Sequence, residues 1–128
     1  MKTRPLRLLA AALLLFDGLS AAFGVATATA GLAAHSPGVI AMVGLRALAG
    51  ACEASGGWLL LQENPAATPI ARVGVLLAAC YATFGIGLRL APTNLDPAFR
   101  QPVVVGYWAF ALVVLGLLRT ARRSRRAD

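Results

Sequence analysis

Acidic side chains are scarce in this chain: five Asp and Glu stand against twelve Lys and Arg in 128 residues, a formal net charge of +7. Only 13% of the residues are charged while 59% are hydrophobic, and the mean hydropathy is +0.73. Too few polar side chains remain to cover a soluble globule, so the chain reads as an integral membrane protein. Histidine occurs once, at His35, with no Cys, Asp or Glu beside it in sequence, so no metal site is expected. The two cysteines, Cys52 and Cys80, form no Cys-x-x-Cys pair and lie in apolar runs where thiols serve as packing residues. A nucleophile paired with a base and a phosphate-binding loop are also missing. Ser55 has Glu53 two residues away but no histidine in the same run, and catalysis by this chain alone is the least supported class.

What the chain has in quantity is long apolar runs. Four are candidates to cross a bilayer, at roughly residues 6–30, 38–61, 70–90 and 102–118. A helix needs about 20 residues to span a hydrocarbon core of about 30 Å, and the last run spans only with Gln101 and Arg119 at the interfaces. The expected fold is an all-α integral membrane four-helix bundle, a single membrane domain ending in a basic tail at residues 119–128. The lipid bilayer is its first partner.

The arginines stand at the ends of these runs rather than along a polar face interleaved with aromatics, which argues against nucleic acid as a partner. Lys2, Arg4 and Arg7 precede the first run, Arg72 opens the third, and Arg119, Arg122, Arg123, Arg125 and Arg126 follow the fourth. Only Arg89 and Arg100 lie at the other side. Under the positive-inside rule both termini face the cytoplasm, as an even number of spans requires, and the expected location is the inner (plasma) membrane, multi-pass. Attraction of the ARRSRRAD tail to anionic lipid is a secondary expectation.

The basic start, the run LLAAALLLF and the later Ala28-Thr29-Ala30 resemble a secretory signal with a small-residue cleavage site. The apolar stretch nevertheless exceeds a typical h-region of about 7–15 residues, and Asp17 interrupts it, so a retained helix is the preferred reading. Residues 31–37 (GLAAHSP) and 91–101 (APTNLDPAFRQ) read as outer loops and residues 62–68 (QENPAAT) as the inner turn. Thr68-Pro69 is expected to cap the third helix, with proline at its first position. Glu63 is expected to be merely exposed, and Trp58, Tyr107 and Trp108 to be interfacial anchors.

Small residues line up within the runs. Gly18, Ala22, Ala26 and Ala30 recur every four residues in the first, and Gly74, Ala78 and Ala82 in the third. Around Glu53 in the second, Ala49, Gly50, Gly56 and Gly57 share its face. Gly18, Ala22, Gly50, Gly56 and Gly57 are therefore expected at close helix contacts. A weak duplication is also legible: Ala22-Phe23-Gly24-Val25 is echoed by Thr83-Phe84-Gly85-Ile86, and Val43-Gly44 by Val105-Gly106.

The chemistry sits in residues 45–61, LRALAGACEASGGWLLL, which place Arg46 and Glu53 on one helical face inside the membrane. Depth arithmetic puts Asp17 about 15 Å from the inner boundary, Arg46 about 18 Å and Glu53 about 8 Å. A charge at mid-membrane costs about 2.5–3.5 kcal/mol on insertion scales, so these groups are expected to meet, with Asp17 pairing Arg46 and Tyr81 facing them. Two readings remain open. Asp17, Arg46, Glu53 and Tyr81 line a pocket for an anionic or quinone-like head group or a proton relay, or they form an ion cluster that fixes helix register.

The segment Ala51-Cys52-Glu53-Ala54-Ser55-Gly56-Gly57-Trp58-Leu59-Leu60-Leu61 resembles the second-helix pattern of DoxX-like membrane proteins, a glutamate followed by a glycine pair and a leucine run. Four spans and a basic start agree with that family across most of the chain. Glu53, Gly56 and Gly57 are the positions that carry over; the glycine-x-x-lysine of the family's first helix is replaced here by Phe23-Gly24-Val25-Ala26. The resemblance implies a small membrane component associated with quinone-linked or thiol-linked redox complexes, with a membrane redox partner or a second copy of the chain as associate. No cofactor is expected beyond a quinone. The alternatives are a small proton-coupled multidrug-type transporter using Asp17, disfavoured by the nearby arginine, and a non-catalytic assembly subunit that docks a partner helix through its small-residue ridges.

Overall fold

The computed structural model describes residues 4–29, 36–91 and 95–127, and among these every regular element is helical. The order is α1 (Arg4–Thr29), α2 (Pro37–Leu61), α3 (Ala67–Tyr81), which continues as a π-helical segment over Ala82–Gly87, and α4 (Pro97–Ala127). Among the described residues four helices, Arg4–Thr29, Pro37–Leu61, Ala67–Gly87 and Pro97–Arg123, are long and apolar enough to cross a membrane. Gly18 meets Gly50 and Ala54, Gly57 meets Ala11, and Gly56 meets Ala71, so α1 and α3 both run antiparallel to α2. The fourth helix then packs on α3 and on α1, closing an up-and-down bundle.

The helix ends differ from the sequence expectation in instructive ways. Cap and proline occur together at Ser36-Pro37, where the Ser36 hydroxyl accepts from Val39 N, and not at Thr68-Pro69. Helix α3 instead starts at Ala67 with no side-chain cap, because the Asn64 side chain already accepts from Ala66 N at 2.9 Å and its carbonyl from Ala67 N at 3.1 Å. Helix α2 stops in a six-to-one and five-to-two pair of bonds, Asn64 N to Leu59 O and Glu63 N to Leu60 O, which puts Glu63 in the left-handed region at φ 60°. The third span ends at Gly87, not residue 90, and Arg89 takes the same backbone conformation there. The basic tail is not a separate segment: α4 begins five residues earlier than residue 102 and runs to Ala127, tolerating Pro102 in its second turn. His35 lies outside the described residues.

The interior is built from small side chains and a few large ones. Ala10, Ala11, Leu14, Leu60, Ala67, Ala71, Val75, Ala79, Ala111, Val114 and Leu118 form one buried cluster in the half of the bundle nearer the basic residues. Alanine dominates because helices in lipid gain little from hiding apolar area and associate by close van der Waals contact. Phe16, Leu19, Phe23 and Leu112 point outward instead, as lipid-facing residues do. The expected ridge on α1 is corrected: Ala22 and Ala26 are exposed and Ala30 lies outside the described residues, while Ala11, Leu14, Gly18 and Ala21 are buried. A strict four-residue repeat drifts round a helix of 3.6 residues per turn, whereas steps of three and four stay on one face. Gly74, Ala78 and Ala82 are buried on α3, but the two halves of the suspected duplication differ, since Thr83-Phe84-Gly85-Ile86 is π-helical and its counterpart in α1 is not.

Candidate functional site

Close packing of α1 on α2 brings the ionisable groups together. A Cβ at Gly50 would lie 2.5 Å from Ala21 Cβ, and one at Gly18 would lie 2.8 Å from Ala54 N. At that separation the long Arg46 side chain reaches the short Asp17 side chain on the neighbouring helix. Arg46 Nη1 and Nη2 each donate to Asp17 Oδ2 at 3.1 Å, and Nη2 also approaches the Asp17 carbonyl at 3.4 Å. Both nitrogens thus converge on one carboxylate oxygen, and Oδ1 takes no part in the pair.

Glu53 completes the group from two turns along α2. Its side chain is fully buried, lies 3.6 Å from Arg46 Nη1, and accepts no hydrogen bond at either oxygen. Gly74 is what admits it: a Cβ there would stand 2.8 Å from Glu53 N and 2.9 Å from its Cγ. One guanidinium is therefore shared by two carboxylates. Desolvating three such groups is tolerated only because each faces a partner rather than lipid.

Two phenol rings flank the guanidinium. Its carbon lies 5.9 Å from the centre of the Tyr81 ring, at the end of α3, and 5.4 Å from that of Tyr107 on α4, both within cation–π range. All four helices thus contribute. The π segment starts immediately after Tyr81, and its wider turn carries Thr83, whose hydroxyl bonds Ala79 O and accepts from Trp108 Nε1 at 2.9 Å. That bond ties α3 to α4 beside the two tyrosines.

Above the cluster, away from the alanine-rich core, a cavity of about 280 Å³ is lined by Asp17, Arg46, Tyr81 and Tyr107 together with Ser20, Val25, Val43 and Ile86. No protein partner hydrogen-bonds either phenol hydroxyl among the described residues. The site offers donors from Arg46 and the phenols, aromatic faces and an apolar wall. This arrangement can seat a flat, carbonyl-bearing ring.

The four residues anticipated from sequence, Asp17, Arg46, Glu53 and Tyr81, come together as described. Glu53 does not line the cavity but stands behind Arg46. Gly18, Gly50, Gly56 and Gly57 lie at close helix contacts and Ala22 does not. Tyr107, expected only as an interfacial ring, also belongs to the site, where its ring faces Arg46 and lines the cavity. Glu63 is not free either, since it pairs with Arg7. Cys52 and Cys80 are unpaired thiols, and no three of His, Cys, Asp and Glu cluster among the described residues. No protein-family model, no curated protein and no solved structure matches this chain.

Proposed function

We propose that this protein is a small multi-pass protein of the inner membrane, DoxX-like in type, that binds the head group of a quinone-like ligand between Arg46, Tyr81 and Tyr107 and serves as an accessory component of a membrane redox system. The observation that carries this reading is the guanidinium of Arg46, fixed by Asp17 and flanked by two phenol rings at the wall of a cavity. Charge balance selects among ligands. With two carboxylates beside one guanidinium there is no surplus positive charge to attract an anion, so a neutral acceptor of hydrogen bonds fits better than the anionic head group. Quinone carbonyls accept from Arg46 and the phenols, and Val25, Val43 and Ile86 suit the ring and the start of its tail.

The excess of Arg and Lys at the two termini and the α2–α3 end supports cytoplasmic termini. A multidrug-type exporter draws less support, because Asp17 is occupied by Arg46 and a cationic drug would meet that arginine first. The test is a titration of the protein in lipid nanodiscs with a fully substituted benzoquinone, followed by fluorescence of Trp108 in a Trp58→Phe background. Saturable quenching is expected, weakened about tenfold by Tyr107→Phe, which keeps the ring and removes one hydrogen bond to a bound carbonyl. Quenching that rises linearly and identically in both proteins reflects partition into the bilayer and overturns the reading.

A further inference from the structure

At the other end of the bundle a separate cavity of about 580 Å³ lies between α1, α3, α4 and the turn joining α2 to α3. Its polar wall is strongly cationic. Arg7, Arg72 and Arg122, one from each of three helices, face it together with the single carboxylate of Glu63. Glu63 engages only Arg7, through Nη2, and Arg7 Nε is buried without an acceptor. Arg72 and Arg122 have no ion-pair partner among the described residues. Thr68, in the first turn of α3, adds a hydroxyl near the positive end of that helix.

We propose that this cavity binds a phosphate-bearing anion, supplied by the head group of an anionic phospholipid. Three guanidinium groups from three helices against the single carboxylate of Glu63 leave a surplus of positive charge, which suits a phosphodiester whose negative charge no cation in its own head group offsets. The cavity lies at the ends of the four apolar helices, at the level where lipid phosphates sit, and Leu60 and Leu118 in its lining offer apolar surface to the first part of an acyl chain. Its volume is within the range of pockets that hold small organic ligands, about 300–1,000 Å³. The site is independent of the tyrosine-flanked cavity at the far end and of any ligand bound there.

Native mass spectrometry of the detergent-solubilised chain, supplied with phosphatidylglycerol or phosphatidylcholine, tests the assignment. One phosphatidylglycerol per chain should be retained in preference to phosphatidylcholine, and Arg72→Gln with Arg122→Gln should weaken that retention by at least about tenfold. Arg119→Gln with Arg123→Gln removes the same charge from exposed positions outside the cavity and should leave retention unchanged. Inorganic phosphate and glycerol 3-phosphate are added as competitors. Displacement by them assigns recognition to the phosphate alone, and persistence of the lipid assigns it to the head group with its chains; both support the site. Thermal unfolding of each variant without lipid checks that the bundle is intact, and for the wild type phosphatidylglycerol should raise the midpoint where phosphatidylcholine does not. Equal retention of the two lipids, or equal loss from the two double variants, overturns the proposal.

Discussion

Arg46 and Asp17 meet end-on: both terminal nitrogens of the guanidinium lie 3.1 Å from the same carboxylate oxygen, on helices that touch through Gly18 and Gly50. The pair therefore depends on the helix contact as much as the contact depends on the pair. Removing Arg46 alone strands two carboxylates in the membrane. Arg46→Ala is expected to cost about 3–5 kcal/mol, and Arg46→Ala with Asp17→Ala to cost less than the single change. Reversible unfolding in mixed micelles measures both; an equal or larger loss in the double variant contradicts the pairing.

The glycines separate into two groups by what surrounds them. Gly18→Ala or Gly74→Ala forces a methyl group to within 3 Å of backbone atoms, of Ala54 in one case and Glu53 in the other, and is expected to destabilise by about 1–3 kcal/mol. Gly106 and Gly116 on α4 have nothing within 4 Å of a built Cβ. Alanine there should be neutral or stabilising by up to about 1 kcal/mol. Unfolding midpoints of the four single variants check the contrast.

Much of this was legible in the sequence because helices in a bilayer behave as rods of known rise. Counting residues from the ends of α1 and α2 was enough to place Asp17 beside Arg46, and the cost of a lone charge in lipid said that they would pair. Tyr107 was not legible. Next to Trp108, in an apolar run that starts at residue 102, it reads as an interfacial ring; only the packing of α4 on the bundle brings it over Arg46. The choice of Ala21 over Ala22 as the packing residue was hidden for another reason, since the two alanines are adjacent and small residues at Gly18, Gly24, Ala26 and Ala28 offer more than one ridge. The π segment over Ala82–Gly87 has no sequence mark that distinguishes it from the α-helix before it.

Tyr107 makes a two-sided prediction. Tyr107→Phe preserves the ring over Arg46 and should leave stability within about 0.5 kcal/mol, while Tyr107→Leu removes the cation–π contact and should cost about 0.5–2 kcal/mol. Only the ligand affinity should fall in the first case. Unfolding and quinone titration, run on the same samples, separate the two contributions.

Capping at the start of α2 and α3 differs in the same testable way. Ser36→Ala removes a hydroxyl that accepts from Val39 N and should cost about 0.5–1 kcal/mol, whereas Thr68→Ala removes no cap and should change stability by less than about 0.5 kcal/mol. Equal effects would return the α3 cap to Thr68.

Photolabelling addresses the account's central claim most directly. A fully substituted benzoquinone carrying a photoreactive group is illuminated with the protein in nanodiscs, and the modified residues are read by mass spectrometry with and without excess unlabelled quinone. Competable labelling at Ser20, Val25, Ile86 and Tyr107, which surround the cavity beside Arg46, is the result predicted. Labelling confined to outward-facing residues such as Phe16 and Leu112, undiminished by the competitor, would contradict it.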